Sequence, residues 1–202
     1  MALYRFAAAT VSRGNGDSAV AAAAYRARDK LADERHGKTH DYTRANSGDD
    51  LAFSGIFAPA DAPEWARDRE QLWNLVESGE KRSDAQLARD FIIALPHELN
   101  EEQNRWLLQD FIKEQFTRKG YIADLAIHRP HRDGDERNLH AHMMVTMRKL
   151  DGTAFAKTKD RWQNSKEQLG AWRESWARHV NHHLERHGIE ARVDHRDQKS
   201  VV

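Results

Sequence analysis

The spacing of apolar and polar positions along the 202-residue chain changes several times, and each change marks an element. Residues 2–11 (ALYRFAAATV) predict a first strand, ended by a turn-rich break at 12–16. Asp17 or Ser18 is placed to cap a helix over 18–31, where four consecutive alanines raise helix propensity. Residues 33–50 are polar and punctuated by Gly, Asn and Ser, which predicts a long loop with a short hairpin at 38–43. Pro63 suits the first turn of a helix reaching about Ser78, with Trp65, Leu72, Trp73 and Val76 as its apolar side. LARDFIIALP, 87–96, predicts a buried strand stopped by Pro96. Asn100 followed by Gln103 is a capping-box pattern opening a helix striped by Leu108, Ile112 and Phe116 and ended by Gly120. Two strand-like runs follow, YIADLAIH and LHAHMMVTM, joined by a loop at 130–138. After a basic loop at 151–163, a last helix runs from about Ser165 to His187, with Leu169, Trp172, Trp176, Val180 and Leu184 on its buried face.

Strand, helix, loop, helix, strand, helix, strand, strand, helix is the order of an α+β sandwich: an antiparallel sheet with helices packed on it. The two runs rich in histidine should be central neighbours. With 39% hydrophobic and 32% charged residues the chain is globular and long enough for one domain with a real core. No stretch is apolar for 18 residues, and the first residues lack a signal-peptide pattern. Cysteine is absent, so disulfides and thiolate ligands are excluded and a cytoplasmic location is the default. Lys+Arg and Asp+Glu balance at 32 each, which argues against indiscriminate duplex binding but leaves room for a local basic groove.

His140 and His142 alternate on a strand, so their imidazoles share one face, roughly 6–7 Å apart. If the run ending in His128 pairs with theirs, three imidazoles converge, the donor set of an open metal site. His131 competes for the third position from the loop. Alternate strand histidines are also commonly just solvated or hydrogen-bonded. Tyr25 stands alone in the small-residue helix AVAAAAYRAR, either as a core aromatic or as a nucleophile presented over the sheet. Arg26 and Arg28 beside it are phosphate contacts or a solvated face. Lys38, His40, Tyr42 and Arg44, and later Lys157, Lys159, Arg161 and Trp162, have the basic-plus-aromatic composition of a single-strand groove, or of solvated loops. His179, His182, His183 and His187 read as a polar rim of the last helix.

Taken together these segments resemble the MobA/MobL family of plasmid mobilisation relaxases, within the HUH endonuclease superfamily. The resemblance rests on an N-terminal strand ending in SRG, on SAVAAAAYRARDKLADERHGKTHDYTR at 18–44, DFIIALP at 90–96, LAIH at 125–128, NLHAHMMV at 138–145 and ARVDHRD at 191–197, in that order. It implies an HUH-like two-layer sandwich and one relaxase domain over 1–202, readable as the N-terminal part of a longer protein. It implies a metal-dependent enzyme that nicks single-stranded DNA at an origin of transfer and rejoins it. Tyr25 matches the family's nucleophile, which forms a 5′-phosphotyrosyl link and frees a 3′-OH. His128, His140 and His142 match its ligands for a divalent metal, Mg or Mn first, with Zn or Ni as alternatives. Asp90 falls where the family places a carboxylate near both, as base or as a support for a ligand imidazole; the family often has Glu there. The linker between His128 and His140 is longer than the family's. Arg26, Lys38, Tyr42, Arg44, Lys157, Lys159 and Arg161 are the candidate DNA contacts. Accessory mobilisation proteins and a type IV secretion coupling protein are the implied partners, with transfer alongside the DNA strand. Three rivals remain from the sequence: a rolling-circle initiator, which usually carries its tyrosine after the histidine strands, a binding module with structural histidines, and a metal phosphodiesterase that uses water and would still cleave after Tyr25→Phe.

Overall fold

The computed structural model describes residues 4–45, 50–130 and 139–196. Five strands form an antiparallel sheet: β1 (Phe6–Ser12), β4 (Leu51–Phe57), β5 (Gln86–Ala94), β6 (Ala123–His128) and β7 (His140–Thr146). Their order across the sheet is β1-β5-β7-β6-β4, so the two histidine-bearing strands are neighbours and β7 is central, as the sequence predicts. Two hairpins stand apart: β2 (Lys30–Asp33) with β3 (Lys38–Asp41), and β8 (Leu150–Asp151) with β9 (Ala154–Phe155).

Alternation within each strand divides the core in two. Phe91, Ile93, Leu125, Ile127, Ala141, Met143 and Val145 face α3 (Glu101–Gln115) and α4 (Lys166–Arg186), with Phe111, Trp172 and Trp176 filling the space between. The rings meet edge-on, Phe91 with Trp172 at 5.1 Å and Phe111 with Trp176 at 5.3 Å, the arrangement that aromatic quadrupoles favour. The other face, carrying Ala88, Ile122 and Met144, is covered by α1 (Ala19–Ala27) and α2 (Arg69–Gly79). The antiparallel sheet packed by helices is therefore present, with helices on both faces.

Asn100 and Gln103 make both halves of the predicted capping box, and Ser18 and Ser165 cap α1 and α4. Three local expectations change. α1 stops at Ala27 rather than at 31, because Arg28 takes the left-handed conformation (φ 53°, ψ 43°) and sends residues 30–33 into a hairpin. The helix expected from Pro63 is divided by Asp68, which caps α2 through its side chain after a short 3-10 turn at Glu64–Arg67. β4 carried no strand signal: its seven residues are all half-buried, with a glycine among them. A Cβ at Gly55 would come within 2.9 Å of the Phe53 ring, so the glycine makes room for that side chain. The linker at 131–138, with the competing His131, lies outside the described residues.

Candidate active site

Register brings the histidines together. His128 pairs directly with His140, and Ala126 with His142. The three rings project from the α1/α2 face with centroids 5.3–5.7 Å apart. His128 is 3% exposed, and His140 and His142 are half-buried. Burial, reinforced by the Arg28 cation, pushes His128 below its ordinary pKa. Burial, then Arg26 and the two neighbouring imidazoles, pushes His142 down to about 3. At neutral pH these rings are uncharged and keep a lone pair each. His128 Nε2 and His142 Nδ1 are buried with no hydrogen-bond partner among the described residues. Buried imidazole nitrogens left unpaired are costly unless something else takes the lone pair, and a cation does. The donor set therefore fits a divalent metal. As placed, no group of three or more His, Asp or Glu among the described residues is already closed on one metal position.

α1 runs along this face. Its N-terminus lies by Glu77, whose carboxylate accepts from Ala19 N at 2.8 Å, and its last turn carries Tyr25 and Arg26. Tyr25 is 48% exposed, which removes the core-aromatic reading. Arg26 spans to the sheet and holds both oxygens of Asp90, Nε–Oδ1 at 3.1 Å and Nη2–Oδ2 at 2.5 Å. Burial raises the Asp90 carboxyl, with Arg26 opposing. Asp90 thus lies on the histidine face of β5 but is committed to Arg26.

The carboxylate that reaches the histidines is Asp50, which sequence reasoning left in a polar loop. Asp50 Oδ2 is 3.4 Å from His128 Nδ1, and both its oxygens take the Arg28 guanidinium, at 3.2 and 2.5 Å. Its own carbonyl accepts from Arg129 N at 2.7 Å, which fixes it beside the end of β6. Arg28 also lies over the Tyr25 ring, 4.8 Å from the centroid. The path Tyr25–Arg28–Asp50–His128 is continuous. The only sequence signal for Asp50 was a carboxylate immediately before a weakly patterned apolar run.

Of the candidate DNA contacts, Lys38, Tyr42 and Arg44 lie on or just after β3, on the hairpin that meets Tyr25 through Tyr42. Lys159 does not come to the site, and the Lys157 carbonyl accepts from Arg148, which pairs with Glu80 as Lys159 does. Lys159 Nζ bonds Gln86 O and pairs with Glu80, at the opposite end of β5 from Ile92, the partner of His142. Six residue steps along the strand separate Gln86 from Ile92, about 20 Å. The Arg161 side chain lies outside the described residues. On α4, His179 and His183 are buried and face Glu114 and Asp110 of α3, so they join two helices rather than line a rim.

This architecture is the relaxase fold. A solved structure reported as "Molecular Basis of Vancomycin Resistance Transfer in Staphylococcus aureus" superposes with a TM-score of 0.84 at 34% identity, over 96% of this chain and 98% of that one. The conjugative relaxase TrwC, in a metal-bound complex with oriT DNA, shares the fold at TM-score 0.58 and 13% identity, over 94% of this chain and 73% of that one. The MobA/MobL family model matches residues 17–200, and the chain belongs to that family. It is 38% identical to conjugal transfer protein TraA of Rhizobium radiobacter over 97% of this chain and 20% of that protein. It is 34% identical to mobilization protein MobL of Acidithiobacillus ferridurans over 97% of this chain and 58% of that protein. The chain therefore spans a fifth of the TraA relative and a little over half of MobL.

Proposed function

We propose that this chain is a metal-dependent relaxase domain that nicks single-stranded DNA at a plasmid origin of transfer and rejoins it. The observation that carries the reading is the coincidence, at one end of one sheet face, of three converging imidazoles and an exposed tyrosine. Family membership and the relaxase fold support it.

In this reading Tyr25 Oη gives up its proton and attacks one phosphorus; the P–O3′ bond breaks, leaving a 5′-phosphotyrosyl ester, and the departing 3′ oxygen takes up a proton. The ester conserves the phosphodiester, so the same groups run the joining step in reverse. Arg28 places a permanent cation beside the tyrosine ring. His128, His140 and His142 would hold a divalent cation, which when bound supplies charge to the non-bridging phosphate oxygens. Asp90 acts through Arg26, holding α1 to the sheet, rather than as the proton acceptor. Lys38 and Arg44 contribute to the DNA groove, and Lys157 and Lys159 sit at its far margin. No helix among the described residues is long and apolar enough to cross a membrane.

The test is a denaturing gel. Labelled single-stranded oligonucleotides tiled across the cognate plasmid's transfer region are mixed with the protein and Mn²⁺, comparing wild type with Tyr25→Phe. A covalent protein–DNA band lost in the variant is expected. Cleavage without an adduct, or cleavage surviving Tyr25→Phe, makes water the nucleophile and refutes the reading.

A further inference from the structure

Tyr25 projects from the last turn of α1 into solvent, so the helix alone does not aim its ring. On one side stands Arg28. On the other stands Tyr42, whose ring meets Tyr25 edge-on, with centroids 5.3 Å apart and planes at 86°. Tyr42 follows β3 and is anchored by its own N–H, which donates to Asp29 O at 3.1 Å. Behind it the His40 ring lies parallel, at 6.5 Å and 4°. His40 Nε2 is 3.1 Å from Asp33 Oδ2, and Asp33 is 1% exposed. The same carboxylate accepts from Ser18 Oγ, the cap of α1, at 2.7 Å, and from the His36 backbone and ring.

A two-stranded hairpin alone is marginal in water, so this one depends on what pins it. Glu70 and Asn74 of α2 supply the remaining pins, taking the backbone N–H groups of Ala32 and Glu34, with Asn74 also donating to Ala32 O. A fixed path thus runs from Ser18, the cap of α1, through Asp33, His40 and Tyr42, back to the tyrosine at the helix's other end.

We propose that Tyr42, seated on His40, is a positioning residue for Tyr25, and that the β2–β3 hairpin is the brace that aims the phenol. This rests on the reading of Tyr25 as nucleophile. It differs from a role for Tyr42 as a stacking platform for a DNA base, and the two have opposite kinetic signatures. A brace changes the rate of bond formation once DNA is bound, whereas a platform changes how tightly DNA binds.

The experiment uses the whole chain with Mn²⁺ and the oligonucleotide that carries the mapped nick. Adduct formation is timed at saturating DNA, and DNA affinity is measured separately, for wild type, Tyr42→Ala and Tyr42→Phe. The rate in Tyr42→Ala is expected to fall about tenfold at unchanged affinity, because misaiming a reacting group by a fraction of its contact distance costs on this scale. Tyr42→Phe, which keeps the ring edge, is expected to retain the rate. Weakened affinity with an unchanged saturating rate in Tyr42→Ala assigns the platform instead and overturns the proposal. So does a Tyr42→Phe variant as slow as Tyr42→Ala. A second readout needs no activity. The chain has four tyrosines, so ring-labelled tyrosine NMR resolves Tyr25, assigned through Tyr25→Phe. Its ring signal is expected to shift in Tyr42→Ala; an unmoved signal overturns the brace whatever the DNA does. A shifted signal in a protein that forms no adduct leaves the contact standing and removes the nucleophile, and with it the positioning role.

Discussion

Asp33→Asn is the substitution whose effect the structure sizes most directly. The Asp33 side chain is inaccessible to solvent and receives donors from Ser18, His36 and His40. Burial by itself raises this carboxyl; the donors outweigh it and hold it at about 2, against 3.8 for an unstructured aspartate. That difference is worth about 2 kcal/mol of folding free energy. A carboxyl whose folded pKa is depressed stabilises the fold above its unfolded pKa, and that contribution is lost as pH falls through the folded value. The Asn variant keeps the volume and one acceptor, so little is added by repacking. Urea unfolding, followed by fluorescence of the six tryptophans, should show the variant about 2 kcal/mol less stable at pH 7 and at pH 4. The gap should shrink to about 1 kcal/mol by pH 3. A gap under about 0.5 kcal/mol at pH 7, or one unchanged between pH 7 and pH 3, would refute the assignment of Asp33 as the charged anchor of the hairpin.

Two further outcomes separate neighbouring residues. Asp50→Asn should weaken Mn²⁺ binding about 10- to 100-fold by isothermal titration calorimetry, and Asp90→Asn should leave it within about threefold, because only Asp50 reaches a histidine; the reverse ranking would return the supporting role to Asp90. Lys38→Ala should lower the slope of log affinity against log salt for single-stranded DNA by about 0.7. Lys159→Ala should leave that slope unchanged and cost about 1 kcal/mol of stability, since its charge is spent on Glu80.

How much could be read in advance varies with the range of the forces. The Asn100–Gln103 box, the Ser18 cap offered beside Asp17, the start of the last helix near Ser165 and the alternation of His140 and His142 are set by residues within one turn or one pleat, and all are found in place. The end of α1 was misjudged because residues 28–31 have ordinary helix propensity. What stops the helix is the left-handed turn at Arg28 and the hairpin that follows, which Asp33 and α2 secure. β4 was missed because its ladder to β6, not its own pattern, makes it a strand. His179 and His183 of α4 look solvated on a helical wheel, and become buried only where α3 brings up Glu114 and Asp110; His182 stays exposed.

By itself the sequence determined most of the helices and the two histidine strands, the shared face of the strand histidines and the lone tyrosine in its small-residue helix, since a period of 2 or 3.6 and a capping pattern act locally. Tertiary structure alone decided the pairings: Asp90 with Arg26 across 64 residues, Asp50 with Arg28 and His128, Tyr42 against Tyr25. A charged or aromatic side chain carries no record of its partner. The register of β6 on β7, the path of the hairpin and the cost of leaving a buried charge unpaired select it once the chain has closed.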